Sequence, residues 1–447
     1  MTTFALSPTA VAMQQPAAEP YVKDPVLLKK AAKASFIGNF VEWFDYASYG
    51  YFATVIASVF FAKTDATVAL MSTYAIFALS FIVRPFGGIF WGHIGDKYGR
   101  KAALSWSILI MSGATFLIGL LPSYATVGIL APVLLLLLRM IQGFSASGEY
   151  AGASAFMAEY APPDKKGFYT SIVPASTSAG LLLGSLIAAA MTAFMDADFV
   201  QTWGWRIPFL LAAPLGLVGR YMRLNLEKTP AFKAFEESTI EKPVPIKNLF
   251  ANHKKTLCIA FMLCSLNAVA FYLILSYMPT YLSTQMHINE TQSLLAASIS
   301  LVAYIGMIFT MGKLSDKYGR KTMLIIASVL FIALTVPLFH MLSLGGFLTI
   351  VLIQLVFSLL LSVNDGTLPA FLSEIFPVEV RYSGFAFTFN SANALLGGTT
   401  PLMATWLMSK TGSQIAPAWL LVIASVIALV ATVMYKKSDS VSILEKR

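Results

Sequence analysis

Apolar stretches of roughly 20 residues recur along the whole chain, and no other feature narrows its fold so far. A run of that length is what an α-helix needs to cross a ~30 Å hydrocarbon core. Of the 447 residues, 57% are hydrophobic and 12% charged, about half the charged share of a soluble domain, and the mean hydropathy is +0.72. The charges are bunched between the apolar runs, so the chain reads as a polytopic membrane protein. Backbone inside a bilayer must satisfy its own hydrogen bonds, and runs this long favour helices over a closed barrel. Cys258 and Cys264 share one apolar segment, where they supply neither a disulfide framework nor a metal-ligand set and read as inert buried thiols. Residues 1–20 are polar and lack a basic n-region, so no cleaved targeting segment is expected.

Apolar runs between charged or Pro/Gly punctuation predict twelve spans, near 33–61, 68–94, 102–121, 128–155, 169–194, 205–223, 256–281, 292–312, 322–342, 346–373, 383–408 and 416–435. Alternate connections take nearly all the bases: Lys23, Lys29, Lys30 and Lys33, then Lys97, Arg100 and Lys101, then Lys165 and Lys166. The bases between Arg220 and Lys255 fall on the same side, as do Lys313, Lys317, Arg320, Lys321, Arg381, Lys436, Lys437, Lys446 and Arg447. The opposite connections hold Lys63 and Lys410, with Arg206 at a span edge. Bases concentrate on the cytoplasmic side of membrane proteins, so both termini are expected there. The net charge of +9 belongs to this asymmetry and not to nucleic-acid binding.

The longest connection, residues 224–255, is charged, contains Pro230, Pro243 and Pro245, and divides six spans from six. The expected order is a cytoplasmic N-terminal segment (1–32), a six-helix bundle (33–223), a cytoplasmic linker (224–255), a second six-helix bundle (256–435) and a cytoplasmic tail (436–447). Self-comparison supports the division. Gly-His-Ile-Gly-Asp-Lys-Tyr-Gly-Arg-Lys at 92–101 recurs as Gly-Lys-Leu-Ser-Asp-Lys-Tyr-Gly-Arg-Lys at 312–321, which aligns Asp96 with Asp316 and Arg100 with Arg320. A second echo pairs the segment ending Glu159-Tyr-Ala-Pro with the one ending Glu374-Ile-Phe-Pro. Two parallel repeats of six helices form the layout of an alternating-access carrier, with its site near the midplane between them.

The motif Gly-x-x-x-Asp-x-x-Gly-Arg-Lys after span 2, repeated after span 8, resembles the signature of the major facilitator superfamily. That resemblance implies an all-α membrane protein of twelve transmembrane helices in two bundles, and a cytoplasmic charge network of Asp96, Arg100 and Glu159 that latches one face. Asp316, Arg320 and Glu374 are their counterparts by the repeat, and all six would be gating residues. Gly38-Asn-Phe-Val-Glu-Trp-Phe-Asp-Tyr, Arg84-Pro-Phe-Gly-Gly, Gln142-Gly-Phe-Ser-Ala-Ser-Gly-Glu and Trp203-Gly-Trp-Arg-Ile-Pro-Phe are similar to the metabolite/proton symporter family, from about Lys29 to Lys436. Within it, Ile141-Gln-Gly-Phe-Ser, Glu227-Lys-Thr-Pro-Ala-Phe and Tyr277-Met-Pro-Thr-Tyr-Leu look most similar to proline/betaine osmolyte transporters. Asn364-Asp-Gly-Thr-Leu-Pro and Ser373-Glu-Ile-Phe-Pro read more like organic-acid relatives.

An ionisable residue well inside a span costs ~2.5–3.5 kcal/mol on insertion scales and faces a cavity or a partner, so it is a functional hypothesis by default. In span 1, Asn39, Glu42, Asp45, Tyr46 and Tyr49 recur at three- and four-residue spacing, which places them on one helix face. Counted from Lys33 at ~1.5 Å per residue, Glu42 and Asp45 lie about 14 and 18 Å deep. Two acids one turn apart repel each other as anions, which makes one of them a candidate proton carrier. In span 4, Arg139 lies ~16 Å deep, with Gln142 and Glu149 on nearly the same face. Arg139 either neutralises the acidic pair or grips a substrate carboxylate through its planar fork. Arg84, read as lying toward the cytoplasmic end of span 2, either lines the pathway or anchors near the gate.

The second half offers Asn267, Tyr272 and Tyr277 in span 7, Asn364 and Asp365 in span 10, and Asn390 and Asn393 in span 11. An asparagine there binds substrate or serves as interhelix glue worth ~0.6 kcal/mol. The proton-coupling candidates are therefore Glu42, Asp45, Glu149 and Asp365. The substrate-binding candidates are Asn39, Tyr46, Arg84, Arg139, Gln142, Asn267, Tyr272 and Asn390. Trp43, Phe44, Tyr46 and Tyr49 could cage a quaternary ammonium through cation–π attraction. Gly88-Ile-Phe-Trp-Gly, Gly148-Glu-Tyr-Ala-Gly and Gly180-Leu-Leu-Leu-Gly permit close helix packing.

No metal-ligand cluster, Gly-x-Ser-x-Gly or nucleotide loop is present to support an enzyme, and the duplicated gating loop argues against a channel. The expected function is proton-coupled import of a small zwitterion such as proline or glycine betaine, with an organic acid such as citrate or 2-oxoglutarate as the alternative. Four intramembrane acids counted against two arginines, Arg84 and Arg139, favour the zwitterion. The expected partners are substrate, proton and lipid bilayer, for a monomer in a bacterial inner membrane that uses the proton gradient and no cofactor.

Overall fold

The computed structural model describes residues 21–61, 66–237, 244–343 and 345–436, which form helices, turns and connections with no strand among them. Residues 1–20 of the expected N-terminal segment, Lys63, residues 238–243 of the linker including Pro243, and residues 437–447 including Lys437, Lys446 and Arg447 lie outside the described residues.

Twelve helical spans follow one another. The first six are α1 (Pro25–Tyr51, continued by Ala53–Phe60), α2 (Ala66–Ile82 and Arg84–Tyr98), α3 (Arg100–Leu120), α4 (Leu130–Ala146 and Glu149–Tyr160), α5 (Lys166–Thr170 and Ile172–Phe194) and α6 (Arg206–Leu224). The last six are α7 (Lys254–Ala270, Phe271–Tyr277 and Met278–Gln285), α8 (Glu290–Tyr318), α9 (Arg320–Leu342), α10 (Phe347–Asp365 and Leu368–Ile375), α11 (Arg381–Ala392, Asn393–Gly397 and Thr400–Thr411) and α12 (Ala416–Met434). Two short helices, Pro230–Glu237 and Pro245–Asn252, lie between α6 and α7. By length and composition alone ten spans can cross a membrane. The other two are α1 and α11, which bury Asn39, Glu42 and Asp45, and Asn390. Large apolar side chains such as Ile82, Phe194, Leu348 and Leu402 are exposed, as expected where lipid replaces water as solvent.

Within the first bundle α1 lies along α5 and α3 along α6, while in the second α8 lies along α10 and α12 packs on α7 and α9. The bundles meet along α2–α11 and α5–α8. Glycines permit that approach. A Cβ on Gly92 would strike the Ser383 backbone, one on Gly95 the Tyr382 ring, and one on Gly88 the Ala386 carbonyl. The α2–α3 and α8–α9 turns each pass through a glycine at positive φ, Gly99 at 101° and Gly319 at 90°, a conformation that side chains disfavour. The repeated motif is thus partly a requirement of the turn.

Several helices change register near the centre. α2 breaks at Val83 ahead of Pro85, α4 breaks between Ala146 and Glu149, and α7 and α11 each contain a π-helical segment, Phe271–Tyr277 and Asn393–Gly397. Such segments disturb the regular i→i−4 ladder and occur often at functional sites.

Candidate functional site

One face of α1 organises the charges of the first bundle. Glu42 and Asp45 are 1% and 2% exposed. Arg84, in the middle of α2 just after its break, donates Nη2 to Glu42 Oε1. From α4, Arg139 donates Nη1 to Asp45 Oδ2 at 3.3 Å and also to Gln142 Oε1. Gln142 in turn donates Nε2 to Thr115 Oγ1 at 2.9 Å. Further along the same face Gly38 leaves room for a third pair, Glu149 with Arg223 of α6. Three buried acid–arginine pairs therefore line up along one helix.

The pairs are not equivalent. Arg223 engages both carboxylate oxygens of Glu149 and also donates to the Leu104 and Ala34 carbonyls at 2.7 and 3.3 Å. The other two pairs rest on one oxygen each. Glu42 Oε2, Asp45 Oδ1, Arg84 Nε, and Arg139 Nε and Nη2 have no hydrogen-bond partner. Desolvation of an ion costs several kcal/mol unless its bonds are satisfied, so these two pairs are less completely compensated than Glu149–Arg223. Aromatic rings shield the guanidiniums: Tyr49, Tyr46 and Phe77 lie 4.0, 5.1 and 5.5 Å from Arg139, and Tyr46 and Phe81 each lie 4.9 Å from Arg84.

The second bundle contributes a different kind of acid. Asp365, 1% exposed, accepts from Asn267 Nδ2 at 2.8 Å, Asn364 Nδ2 at 2.9 Å and the Tyr304 hydroxyl at 2.7 Å. No lysine or arginine pairs with it among the described residues. It lines a small cavity between the bundles with Trp43, Tyr150, Asn267, Phe271 and Phe389.

On the face that carries most of the bases, the two copies of the repeated motif tie the bundles together. Asp96 accepts from the Tyr382 and Ser383 backbone N–H groups at 3.1 and 2.8 Å and from Ser383 Oγ at 2.6 Å, which caps the start of α11. Asp316 accepts from the Gly167 and Phe168 N–H groups at 2.8 and 2.9 Å at the start of α5. Each bundle thus places a carboxylate at the positive end of a helix in the other. Arg100 bridges Asp96 at 2.7 Å, Glu159 at 2.9 Å and the Val378 carbonyl at 2.8 Å, and Arg381 joins Glu159 at 3.1 Å. In the second copy Arg320 pairs with Asp316 at 2.7 Å and Glu374 at 3.3 Å, at more exposed positions.

The Major Facilitator Superfamily model matches residues 36–398, and again 261–443. The chain belongs to the major facilitator superfamily. Among curated relatives of this superfamily member, the glycine betaine/proline/ectoine/pipecolic acid transporter of Dickeya dadantii is 39% identical, over 92% of this chain and 84% of that one. The proline/betaine transporter of Escherichia coli K12 is 38% identical over the same shares, and a putative proline/betaine transporter of Staphylococcus aureus is 37% identical over 91% and 88%. Among solved structures, a proton:xylose symporter bound to 6-bromo-6-deoxy-D-glucose superposes with a TM-score of 0.73 at 18% identity, covering 91% of this chain and 95% of that one. A partially occluded, inward-open form of the Escherichia coli xylose transporter gives 0.67 at 18%, covering 91% and 97%.

Within this superfamily member the predicted site residues fall into distinct groups. Glu42, Asp45, Tyr46, Arg84, Arg139 and Gln142 form one connected cluster, and Asn267 and Asp365 form another. Tyr272 lies between the bundles, 6.0 Å from Phe81 by ring centroids, and its buried hydroxyl has no partner. Two asparagines hold helices together instead. Asn39 donates to the Val173 carbonyl, Ser176 and Thr177 of α5, and Asn390 reaches across the bundles to the Ser147 carbonyl at 2.7 Å. Arg84 is at the middle of its span and not near the gate, because α2 runs on to Tyr98. Of the proposed aromatic cage only Trp43 lines the cavity. Tyr46 and Tyr49 cover Arg139, and Phe44 stacks on Phe40 at 6.4 Å. The count of two intramembrane arginines was short by Arg223, 3% exposed, which occupies Glu149 and separates it from the Asp45–Arg139 pair. Its signal was the buried stripe Ala212, Gly216, Gly219, Arg223 at helical spacing.

Proposed function

We propose that this chain is a proton-coupled symporter that imports a small zwitterion, such as proline or glycine betaine, by alternating access. It would act as a monomer in a bacterial inner membrane, with the latch face and both termini cytoplasmic, and with the proton gradient as its energy source in place of a cofactor. The names of its relatives support the substrate class, and the excess of bases on the latch face supports the orientation.

The observation that carries the coupling is the half-satisfied state of the Glu42–Arg84 and Asp45–Arg139 pairs. A substrate carboxylate and the resident acid compete for the same guanidinium. When the acid takes a proton from outside, it releases its arginine to the substrate, and the cluster keeps its charge balance with both ligands aboard. Neither ligand alone produces that balance, so the bundles rock only when both or neither are present. For the organic-acid alternative a further buried base would be needed. Arg223 is occupied by both oxygens of Glu149, which leaves Arg84 and Arg139, each already facing an acid.

The test is uptake by proteoliposomes under an imposed pH gradient, with radiolabelled proline, glycine betaine, citrate and 2-oxoglutarate presented separately. Proline or betaine should accumulate and a protonophore should abolish the accumulation. Accumulation of an acid alone would overturn the reading.

A further inference from the structure

Every buried acid along α1 and its partners faces an arginine: Glu42 with Arg84, Asp45 with Arg139, and Glu149 with Arg223. Asp365 does not. Its three partners, two asparagine amides and a tyrosine hydroxyl, place hydrogen on its oxygens, a pattern that suits a carboxylate, which accepts only, better than a carboxylic acid. Neutral donors solvate an anion without cancelling its charge, so the second bundle presents uncompensated negative charge to the central cavity.

The walls of that cavity are aromatic. Trp43 of α1 meets Phe271 of α7 edge-on at 5.1 Å, and Tyr150 of α4 stacks on Phe389 of α11 at 4.2 Å with their planes 5° apart. Each pair has one member from each bundle. Ring faces attract cations, most strongly where water is excluded. A carboxylate without a counter-ion beside aromatic rings, whose faces the bundles free as they part, matches an ammonium whose hydrogens are replaced by carbon, since such a group donates few or no hydrogen bonds and is held by charge and polarisability.

We infer that Asp365, with Trp43, Tyr150, Phe271 and Phe389, forms the subsite for the substrate's cationic nitrogen, a quaternary or secondary ammonium. This rests on the zwitterion reading above and deepens it. The carboxylate goes to the arginines of the first bundle and the nitrogen to the acid of the second, so a short zwitterion bridges the bundles and draws them together. A ligand that lacks either charge grips one bundle alone. In this conformation the cavity measures ≈ 20 Å³, room for a water molecule and not for a methylated nitrogen. The cage therefore receives its ligand as the bundles part and closes on it as they return.

The experiment uses the full chain in lipid nanodiscs and calorimetric titration with three probes. These are glycine betaine, its carbon isostere 3,3-dimethylbutanoate, which keeps the shape and carboxylate but has no positive charge, and tetramethylammonium, which has the cation alone. The unaltered protein should bind betaine about tenfold or more tighter than the isostere, the scale of a desolvated cation–π contact joined to a charge. Asp365→Asn should lower betaine affinity to that of the isostere, leave the isostere within about twofold, and lose tetramethylammonium. Phe389→Leu should weaken betaine and tetramethylammonium about threefold to tenfold without affecting the isostere, and it decides the matter by the same ratio if Asp365→Asn does not fold. An Asp365→Asn protein that still prefers betaine to the isostere, or a Phe389→Leu protein whose betaine-to-isostere ratio is unchanged, overturns the subsite and leaves the zwitterion reading intact. An unaltered protein that binds isostere and betaine equally overturns both.

Discussion

At the scale of single residues, the arrangement makes acid and arginine partners separable by substitution. Glu42→Gln keeps the shape of the side chain and removes the proton-accepting charge. Betaine exchange between equal concentrations on the two sides should persist, while accumulation driven by a pH gradient should be lost. Gradient-driven accumulation that survives in this variant would remove Glu42 from the coupling. The Glu149–Arg223 pair makes an opposite prediction, because it is fully bonded and structural. Arg223→Ala strands a buried carboxylate and should cost about 3–5 kcal/mol, read as a lowered unfolding temperature in detergent. Adding Glu149→Gln to a neutral Arg223→Gln should recover most of that loss. The sequence made Glu42, Asp45 and Arg139 legible because a charge inside an apolar run is conspicuous. Arg223 was concealed for the converse reason: at the end of a run and ahead of a basic linker it looks like one more lysine or arginine facing lipid headgroups. What fixes its role is the carboxylate opposite, which is far away in sequence.

At the scale of elements, the linker between α6 and α7 is part of the latch. Thr229 donates Oγ1 to the second oxygen of Glu159 at 2.5 Å, just ahead of the helix Pro230–Glu237. Phe232 of that helix lies over Arg100 at 5.7 Å, and Ala231 and Phe235 pack with Val378 of the second bundle. Thr229→Val leaves Glu159 short of a donor and should loosen this face. Cys258 is exposed, contrary to the expectation of two buried thiols, so Cys264, fully buried in α7, serves as the reporter in a Cys258→Ser background. Its labelling by an impermeant maleimide from the latch side should rise about tenfold or more, the effect of one lost hydrogen bond to a charged group; an unchanged rate would mean that the linker only spans the bundles. The twelve spans were readable from apolar runs and charge punctuation, α1 and α11 among them despite the polar residues they bury. The π-helical segments of α7 and α11 were not readable. Their register shift is decided by neighbouring helices, and the residues concerned have ordinary helical character.

At the scale of the whole molecule, the two-fold repeat becomes a mechanical property. Asp96 caps α11 and Asp316 caps α5, so each copy of one motif holds the opposite bundle, and the two capped helices lie in different bundles. The resemblance of the motif implied a gating role for both acids, while the fold was needed to show which helix each one holds. If the bundles move as rigid bodies, opening this face breaks both caps in one event, and the free energies of the two caps add. A helix cap contributes about 1 kcal/mol, so Asp96→Ala or Asp316→Ala alone should speed labelling of Cys264 about fivefold, and the double variant by roughly the product of the two effects. The Asp316–Arg320–Glu374 group, less buried than the first copy, should give the smaller single effect, because water and salt screen it more. A double variant no faster than the faster single one would mean that one side opens first and the bundles bend as they move. The product would instead mean that the gate is one cooperative unit, closed from both bundles at once.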